Sequence, residues 1–505
     1  MRILLDTNIV IHREASTVIN SSIGVLFRWL DRLKYEKCIH PATLNEIGRH
    51  KDDRVRKSFE TKLQSYSILK SIAPEHPLVA SLRSRFDTTE NDRIDTDLLN
   101  ELIAGRVDGI ITEDQKLHQK AAVLGLTESV FSIDSFLEKV TAENPELTDY
   151  QILSVRRTVF GATNLADSFF DSFRVEYPNF DRWFNRKADE TAYVCSTDKG
   201  KIIGFLYLKR EGTNENYSDI APQFKPKVRI KIGTMKVAAN GFKIGERFLK
   251  IVFDNALLIG ADEIYVTAFR RTDDHLRLLN LLEEWGFKKH GLKSSEAGQE
   301  EVYVRDFTPA FNVENPKLTY PYVGFGTRKF IVPIYPQYHT ELLPDSVLRT
   351  ESPLDFVESR PNRNAISKVY VSRSRFRDLM CGDIIVFYRT ASGGAAYYTS
   401  VATTLGVVDS AHTNIQSLKQ FQRLCRKRSV FSDAELAKHW NYTPYIRPFV
   451  VNFLYLYTFP KRMNRKALME AGIMKDAPRG FEPLSDEQFQ RLCNGSNADR
   501  RYFVD

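Results

Sequence analysis

The stretch RILLDTN, residues 2–8, runs three consecutive apolar residues directly into an acid. A short apolar run that ends in polar residues is typical of a buried strand in a parallel sheet. Ligands of open α/β sheets bind at the carboxyl ends of their strands, so this pattern predicts that Asp6 lies in a cleft at a sheet edge. The alternative is that Asp6 only caps the helix that follows, since aspartate is a good N-cap residue.

The composition indicates a cytoplasmic protein with several folded domains. A chain of 505 residues with 42% hydrophobic content can form about three domains, each with its own core. The chain shows neither a signal-peptide pattern nor a long apolar run, so we expect no membrane partner. Its five cysteines are far apart and include no CxxC pair, which argues against a disulfide framework or a zinc knuckle. The net charge of +8 favours an acidic partner such as nucleic acid.

Two stretches rich in proline and polar residues, 143–150 and 306–326, divide the chain into three predicted domains. Residues 1–142 alternate strands with helical stretches, which predicts a parallel α/β sheet. Residues 150–305 contain strand-like runs followed by helices, which predicts a mixed α+β or α/β domain. Residues 327–505 combine aromatic strands with a basic helical stretch, which predicts a small β-barrel with helices packed outside. The predicted fold class is therefore α/β multidomain.

Further acids of the first domain are expected near Asp6. On a helix predicted over residues 92–104, Asp95 falls within the apolar stripe, and a carboxylate buried there is costly unless it is compensated. The strand GIIT runs into Asp114 in the same way that the first strand runs into Asp6. Parallel strands place their ends at one sheet edge, so these three acids, with Glu46 from a helix start, predict an oxygen-only site for Mg²⁺ or Mn²⁺. Such a site suits phosphodiester hydrolysis.

These acids form a pattern that resembles the PIN domain family of metal-dependent ribonucleases, which includes many bacterial toxins. The pattern consists of LLDTN, a glutamate in the forties, D-x-x-L-L and IITED, all within the first predicted domain. The resemblance implies that the four acids bind metal and catalyse RNA cleavage, with Asn8 and Thr112 as polar support. Asp52 and Asp53 are alternatives to Glu46. RNA is the implied substrate, and an antitoxin protein is a candidate partner.

In the second domain, the stretch MKVAANGFKIGERFLK predicts a strand, a turn with two glycines and an amphipathic helix. Small residues let backbone N–H groups approach phosphates at a helix N-terminus. The strand EIYVTAF and a helix ending in Gly-Phe follow, and this order resembles the GNAT acetyltransferase family over residues 150–305. The resemblance implies that the turn binds the pyrophosphate of acetyl-CoA. The turn residues are Val237, Asn240, Gly241, Phe242, Lys243, Ile244 and Gly245.

Two features depart from the GNAT pattern. Asn240 and Lys243 stand where the family usually has Arg or Gln and a first glycine. Leu282 stands four residues before Gly286, where many members have a tyrosine general acid. Binding of acetyl-CoA and transfer of the acetyl group are therefore separate expectations. The alternative is a GNAT-like domain that serves as a scaffold or a binding module.

In the third domain, two stretches interleave basic and aromatic residues. This composition suits single-stranded or folded RNA, and the alternative is a solvated helix face. The order around GDIIVFYRT resembles the ASCH and EVE group of PUA-like domains, which are RNA-associated modules. A G-x-K-x-x-T-x-E stretch is not found, so no hydrolytic activity is inferred for this domain. The predicted RNA-binding residues are Arg373, Arg375, Phe376, Arg377, Arg426, Lys427 and Arg428.

Together these patterns predict a three-domain enzyme that acts on RNA. Its first domain would be a metal-dependent endoribonuclease, its second would bind acetyl-CoA, and its third would hold the RNA. One alternative is an N-acetyltransferase that acts on RNA or protein and has an inactive first domain. The other is a non-enzymatic RNA-binding regulator.

Overall fold

A computed structural model describes residues 1–15, 21–49, 53–133, 135–137, 140, 154–197, 200–238, 243–295, 298–346, 365–391, 396–426, 428–443 and 445–505. The chain divides into two compact units. The first comprises Met1–Asp149 with Ala238–Gly241, and the second comprises Tyr150–Val237 with Phe242–Asp505. Within the described helices, none combines the length and the apolar character needed to cross a bilayer.

The first unit contains a sheet whose five strands all run parallel, in the order β3-β2-β1-β4-β5. The strands are β1 (Arg2–Leu5), β2 (Glu36–Ile39), β3 (Ser67–Ile68), β4 (Gly109–Ile111) and β5 (Val130–Phe131). The helices are α1 (Thr7–Ala15), α2 (Ser21–Arg32), α3 (Pro41–Gly48), α4 (Asp53–Lys62), α5 (Pro77–Phe86), α6 (Glu90–Ile103) and α7 (Gln115–Val123). In β1, Ile3 and Leu5 join one apolar cluster and Leu4 joins another, because side chains alternate along a strand. The parallel α/β sheet predicted from residues 2–8 is confirmed.

The second unit begins with an eight-stranded sheet in the order β6-β7-β8-β10-β11-β13-β12-β9. The strands are β6 (Ser154–Val159), β7 (Thr191–Ser196), β8 (Ile202–Glu211), β9 (Ile220–Ala221), β10 (Arg229–Val237), β11 (Glu263–Ala268), β12 (Lys288–Ser295) and β13 (Gly298–Asp306). The helices are α8 (Asp171–Glu176), α9 (Phe180–Asn185), α10 (Ile244–Ile259) and α11 (Asp273–Glu284). The strands β10 and β11 run parallel, and they pair only from Arg229 to Ile232 although β10 continues to Val237.

A six-stranded half-barrel sheet follows, in the order β16-β19-β18-β17-β15-β20. The strands of this region are β14 (Val323–Gly324), β15 (Lys329–Ile334), β16 (Ser367–Ser372), β17 (Ile384–Arg389), β18 (Val401–His412), β19 (Phe449–Thr458), β20 (Glu482–Leu484) and β21 (Phe503–Val504). The helices are α12 (Pro336–Leu342), α13 (Ala396–Thr399), α14 (Leu418–Cys425), α15 (Asp433–Asn441), α16 (Arg465–Glu470) and α17 (Asp486–Gly495). The α/β multidomain class is thus confirmed.

Within the second unit, helix α10 joins the two sheets. The buried Glu246 carboxylate accepts hydrogen bonds from the backbone N–H groups of Ile366 (2.9 Å) and Ser367 (3.0 Å). One residue along, Arg247 pairs with Asp345 through N···O distances of 2.6 and 2.9 Å. Burial alone would raise the pKa of Glu246, but nearby cations and these N–H groups hold it below its usual value. The helix therefore packs against both sheets with its buried charge compensated.

Candidate functional site

A cleft of about 670 Å³ opens in the second unit beyond the point where β10 and β11 stop pairing. Gly233, Thr234 and Met235 line it from β10, and Thr267 and Ala268 line it from β11. Aromatic side chains from α9 and its surroundings also line the cleft. Clefts of this size with apolar walls and a few polar groups are the usual places for small ligands.

Gly233 shapes the floor of this cleft. The pairing of β10 with β8 shifts between Ile232 and Thr234, so Gly233 has no Cα partner on β8. A Cβ atom at Gly233 would come within 2.6 Å of the Tyr207 ring. Glycine therefore allows the Tyr207 ring to lie against the strand at a β-bulge, and bulges commonly re-aim the backbone near active sites.

An acid and a histidine meet at the edge of the cleft. Oε1 of Glu176, the last residue of α8, lies 3.2 Å from Nε2 of His275, in the first turn of α11. The other ring nitrogen, Nδ1, is buried and has no hydrogen-bond partner among the described residues. A carboxylate on one nitrogen orients an imidazole and stabilises its protonated form. Glu176 therefore holds the His275 ring in one orientation at the edge of the cleft.

A buried acid also lines the cleft. Glu300 is only 4% exposed and accepts a hydrogen bond of 2.7 Å from the Tyr177 hydroxyl. Burial and the nearby Glu300 carboxylate raise the pKa of Tyr177 well above its usual value, so Tyr177 remains a donor. Glu300 is thereby fixed as an acceptor at the cleft.

Four lysines also line the cleft, and three of them are paired with acids. Lys187 lies 2.8 Å from Glu190, Lys209 lies 2.9 Å from Glu211, and Lys293 lies 3.5 Å from Asp219. The fourth, Lys231, has a lowered pKa because of its burial and the nearby Lys293. The wall is thus a mixed-charge surface rather than a purely cationic one. The four lysines are Lys187, Lys209, Lys231 and Lys293.

The predicted acetyl-CoA turn is described only in part, because Asn240, Gly241 and Phe242 lie outside the described residues. Val237 ends β10. Lys243 precedes α10 with a left-handed backbone (φ 57°), and its Nζ atom lies 3.4 Å from Glu246. The side chain of Ile244 is buried, and a Cβ atom at Gly245 would come within 2.8 Å of Leu281.

The sequence analysis missed the glutamate and the histidine that meet at the cleft. Leu282, which stands at the position where a tyrosine was sought, is fully buried and offers no polar group. The histidine that does reach the cleft lies one residue after Asp274, at the start of the same helix. A histidine in the first turn of the predicted helix is the signal that could have identified it.

In the first unit, threonines connect the predicted acids. Asp6 follows β1 and is 6% exposed, and its Oδ2 atom accepts a 2.6 Å hydrogen bond from the Thr112 hydroxyl. The same hydroxyl accepts one of 2.9 Å from the backbone N–H of Asp114, which caps α7. The Thr7 hydroxyl donates to Glu46, which lies in the second half of α3 rather than at a helix start. Asn8 is exposed.

These acids lie close enough together to raise one another's pKa values. Burial, together with Asp114 and Glu46, raises the pKa of Asp6 to about 6, although the hydrogen bond from Thr112 lowers it. Burial, Asp114 and Asp6 raise the pKa of Asp95, on α6, to about 7. In the described part of the chain, however, no group of three or more His, Cys, Asp or Glu side chains is arranged to hold a metal ion. The expected Mg²⁺ or Mn²⁺ site therefore stays a prediction.

The predicted RNA-binding residues lie in several different environments. Arg373 and Arg375 are exposed, and Arg377 is half-buried. Phe376 packs against Phe330 in the sheet's apolar core, with ring centroids 5.0 Å apart. Arg426 caps the C-terminal end of α14, Arg428 lies close enough to lower the pKa of Glu246, and Lys427 is outside the described residues.

No protein-family model matches the chain, and no curated protein matches it. Parts of the chain resemble solved structures. A mutant ASCH protein from Zymomonas mobilis is 11% identical over 33% of this chain and 94% of its own, with a TM-score of 0.24. An aminoglycoside 6'-acetyltransferase type Ii is 15% identical over 31% of this chain and 99% of its own (TM-score 0.23). A chain of the NatC complex bound to Gag peptide and CoA is 16% identical over 31% of this chain and 99% of its own, with a TM-score of 0.20. Each likeness concerns the arrangement of elements in about a third of the chain.

Proposed function

We propose that residues 154–306 form an acetyl-CoA-dependent N-acetyltransferase whose acceptor is an amine bound in the cleft. The observation that carries this proposal is the Glu176–His275 pair at the edge of an open cleft between two parting parallel strands. The sequence pattern that resembles the GNAT family covers the same residues.

The residues around the cleft can perform the proton transfers that an amine acceptor requires. An ammonium group must lose a proton before its nitrogen attacks an acyl carbon. The Glu176–His275 pair is the candidate acceptor of this proton, and Glu176 holds the imidazole in place. Glu300, fixed by Tyr177, supplies a second carboxylate against which an ammonium group can be placed.

Acetyl-CoA would supply the acetyl thioester. The described residues fit an acyl group because the β10 edge is open and Gly233 adds no side chain to the cleft. Val237, Lys243, Ile244 and Gly245 are the described residues of the turn that would hold the cofactor.

Release of free CoA thiol tests the proposal directly. The purified full chain is incubated with acetyl-CoA and a panel of amines that includes amino sugars, peptide N-termini and polyamines. We expect thiol release that depends on one class of amine. The proposal is wrong if the chain neither releases thiol nor binds acetyl-CoA in a calorimetric titration.

A second candidate function is phosphodiester cleavage by the first unit, which is the endoribonuclease activity predicted from the sequence. One observation favours it: Asp6 and Asp95 lie close enough for Asp6 to raise the pKa of Asp95. A bound cation would reduce the repulsion between these carboxylates. Incubation of total RNA with the full chain, with and without Mn²⁺, tests it. Equal cleavage by the wild type and Asp95→Asn would remove this candidate.

A further inference from the structure

Two charged groups of the cleft between β10 and β11 are not compensated by an ion pair. Lys187, Lys209 and Lys293 each pair with an acid. Lys231 and Glu300 also line the cleft, but neither forms an ion pair with any other residue that the structure describes. One positive and one negative group are therefore available to a ligand.

The sheet register places Lys231 beside another residue of the cleft. Lys231 lies next to Lys209 of β8 and Tyr265 of β11, and Lys209 also lines the cleft. The Nζ atom of Lys231 lies 5.6 Å from the centroid of the Tyr265 ring. Burial and the nearby Lys293 lower the pKa of Lys231. A bound carboxylate would offset the cost of keeping this ammonium group charged.

Glu300 lies near Lys231 and is held in position by a hydrogen bond. Its carboxylate accepts a hydrogen bond of 2.7 Å from the Tyr177 hydroxyl. Glu300 is close enough to Lys231 to raise the pKa of that lysine, although the two side chains do not form an ion pair. One small ligand can therefore place an ammonium group on Glu300 and a carboxylate on Lys231.

Three aromatic rings of the cleft form a cluster that suits a flat apolar group. The rings of Phe173 and Phe180 stack with centroids 5.1 Å apart and an interplanar angle of 12°. The Trp183 ring lies 5.7 Å from that of Phe180. Phe173 and Trp183 are half-buried, so their rings can still contact a ligand. These three residues are the aromatic cluster, and such rings favour another aromatic ring as a partner.

We infer that the amine acceptor of this cleft is an aromatic α-amino acid. Its carboxylate would pair with Lys231, its ammonium group with Glu300, and its ring would contact the aromatic cluster. This inference deepens the proposed function and rests on it in calling the ligand an acceptor. A polyamine or an amino sugar lacks the carboxylate, and its additional positive charge would lie near the lysines of the cleft.

The transfer balances without a further reactant. The amine loses a proton, and its nitrogen forms a bond to the acetyl carbon as the C–S bond of the thioester breaks. The products are the N-acetyl amino acid, free CoA thiol and one proton. Lys231 takes no part in these steps and acts as a specificity-determining residue.

Paired ligands test the inference by calorimetry. The full chain, with and without CoA, is titrated with phenylalanine and with phenethylamine, which lacks only the carboxylate. We expect phenylalanine to bind about 10-fold more tightly or better, because its carboxylate adds a charged hydrogen bond. Leucine should bind about 2- to 10-fold more weakly than phenylalanine, because it has no ring. Thiol release from acetyl-CoA should follow the same order.

Substitution of the lysine tests its role. Lys231→Met should abolish the preference for phenylalanine over phenethylamine and raise the KM for phenylalanine more than it lowers kcat. Lys231→Arg keeps the charge and should retain part of the preference. Lys288→Met is the matched control, since Lys288 is an exposed lysine of β12 outside the cleft lining, and it should behave like the wild type.

The outcomes separate this inference from the proposed function. Equal binding of phenylalanine and phenethylamine, tighter binding of spermidine, or an unchanged preference in Lys231→Met would overturn the inference, while thiol release with any amine would keep the proposed function. Preferential binding of phenylalanine without thiol release from any amine would overturn the proposed function and keep the assigned ligand. The comparison of ligands on the wild type decides the inference even if Lys231→Met does not fold.

Discussion

Oε1 of Glu176 and Nε2 of His275 lie 3.2 Å apart, and together they join the end of α8 to the first turn of α11 at the edge of the cleft. His275→Ala should lower the rate of acetyl transfer by about 100-fold or more, because positioned proton acceptors contribute about 10²- to 10⁴-fold. Glu176→Gln should cause a smaller loss, because the imidazole keeps a hydrogen-bonding partner but loses the carboxylate that orients it. Steady-state thiol release from pH 6 to 9 measures both effects.

The adjacent Asp274 provides the control for these variants. It is exposed and pairs with Arg277 at 3.1 Å on the same helical turn. Asp274→Asn should therefore retain the wild-type rate and pH profile. A His275→Ala enzyme with an unchanged rate would show that the proton leaves by another path.

Gly233→Ala should damage both stability and transfer, because its Cβ atom would lie 2.6 Å from the Tyr207 ring. Overpacking of this kind costs about 1 to 3 kcal/mol. Chemical denaturation measures the free energy of unfolding, and thiol release measures transfer. Gly212→Ala is the matched control, since a Cβ atom there has no neighbour within 4 Å. Equal stability of the two variants would contradict the tight packing at the bulge.

The acids of the first unit predict a specific pH dependence. The folded-state pKa of Asp95 is raised from 3.8 to about 7, so its neutral form is favoured by folding. Its contribution to stability is complete below about pH 4 and is lost as the pH rises through about 7. Asp95→Asn, which stays neutral, should therefore exceed the wild type in stability at pH 8 by about 1 kcal/mol after screening, and match it at low pH.

Thermal unfolding at pH 4, 6 and 8 measures this difference. Glu90→Gln, an exposed acid on the same helix, is the control and should show no such trend. Addition of Mn²⁺ at pH 8 should raise the melting temperature of the wild type more than that of Asp95→Asn if the acidic edge takes up a cation. A pH-independent difference between wild type and Asp95→Asn would refute the coupling between the acids.

The buried carboxylate of Glu246 should contribute strongly to the stability of the second unit. Glu246→Ala leaves the N–H groups of Ile366 and Ser367 without their acceptor and should cost about 2 to 4 kcal/mol. Glu246→Gln keeps one acceptor oxygen and should lose less. Urea denaturation followed by tryptophan fluorescence distinguishes the two variants. A loss below about 0.5 kcal/mol for the alanine variant, on the order of an ordinary surface change, would contradict this account.

The sequence predicted features that depend on local pattern. The apolar run before Asp6 predicted a parallel strand that ends in an acid, and the repeat of that design before Asp114 placed both acids at one edge. The sequence did not predict Glu176 beside His275, because they come from different elements brought together only by the tertiary fold. It also did not show that Phe376 packs inward, since alternation of basic and aromatic residues does not determine which face of a segment is buried.

Helix α10 sets a limit on modularity in this protein. It follows the predicted cofactor turn, and it also supplies Glu246 and Arg247 to the C-terminal sheet region. Removal of residues beyond 306 would leave a nearly fully buried acid in water-exposed surroundings and uncover the apolar contacts of the helix. The two sheets of the second unit should therefore be expressed and transferred together in engineered proteins, although the sequence patterns predict two separate domains.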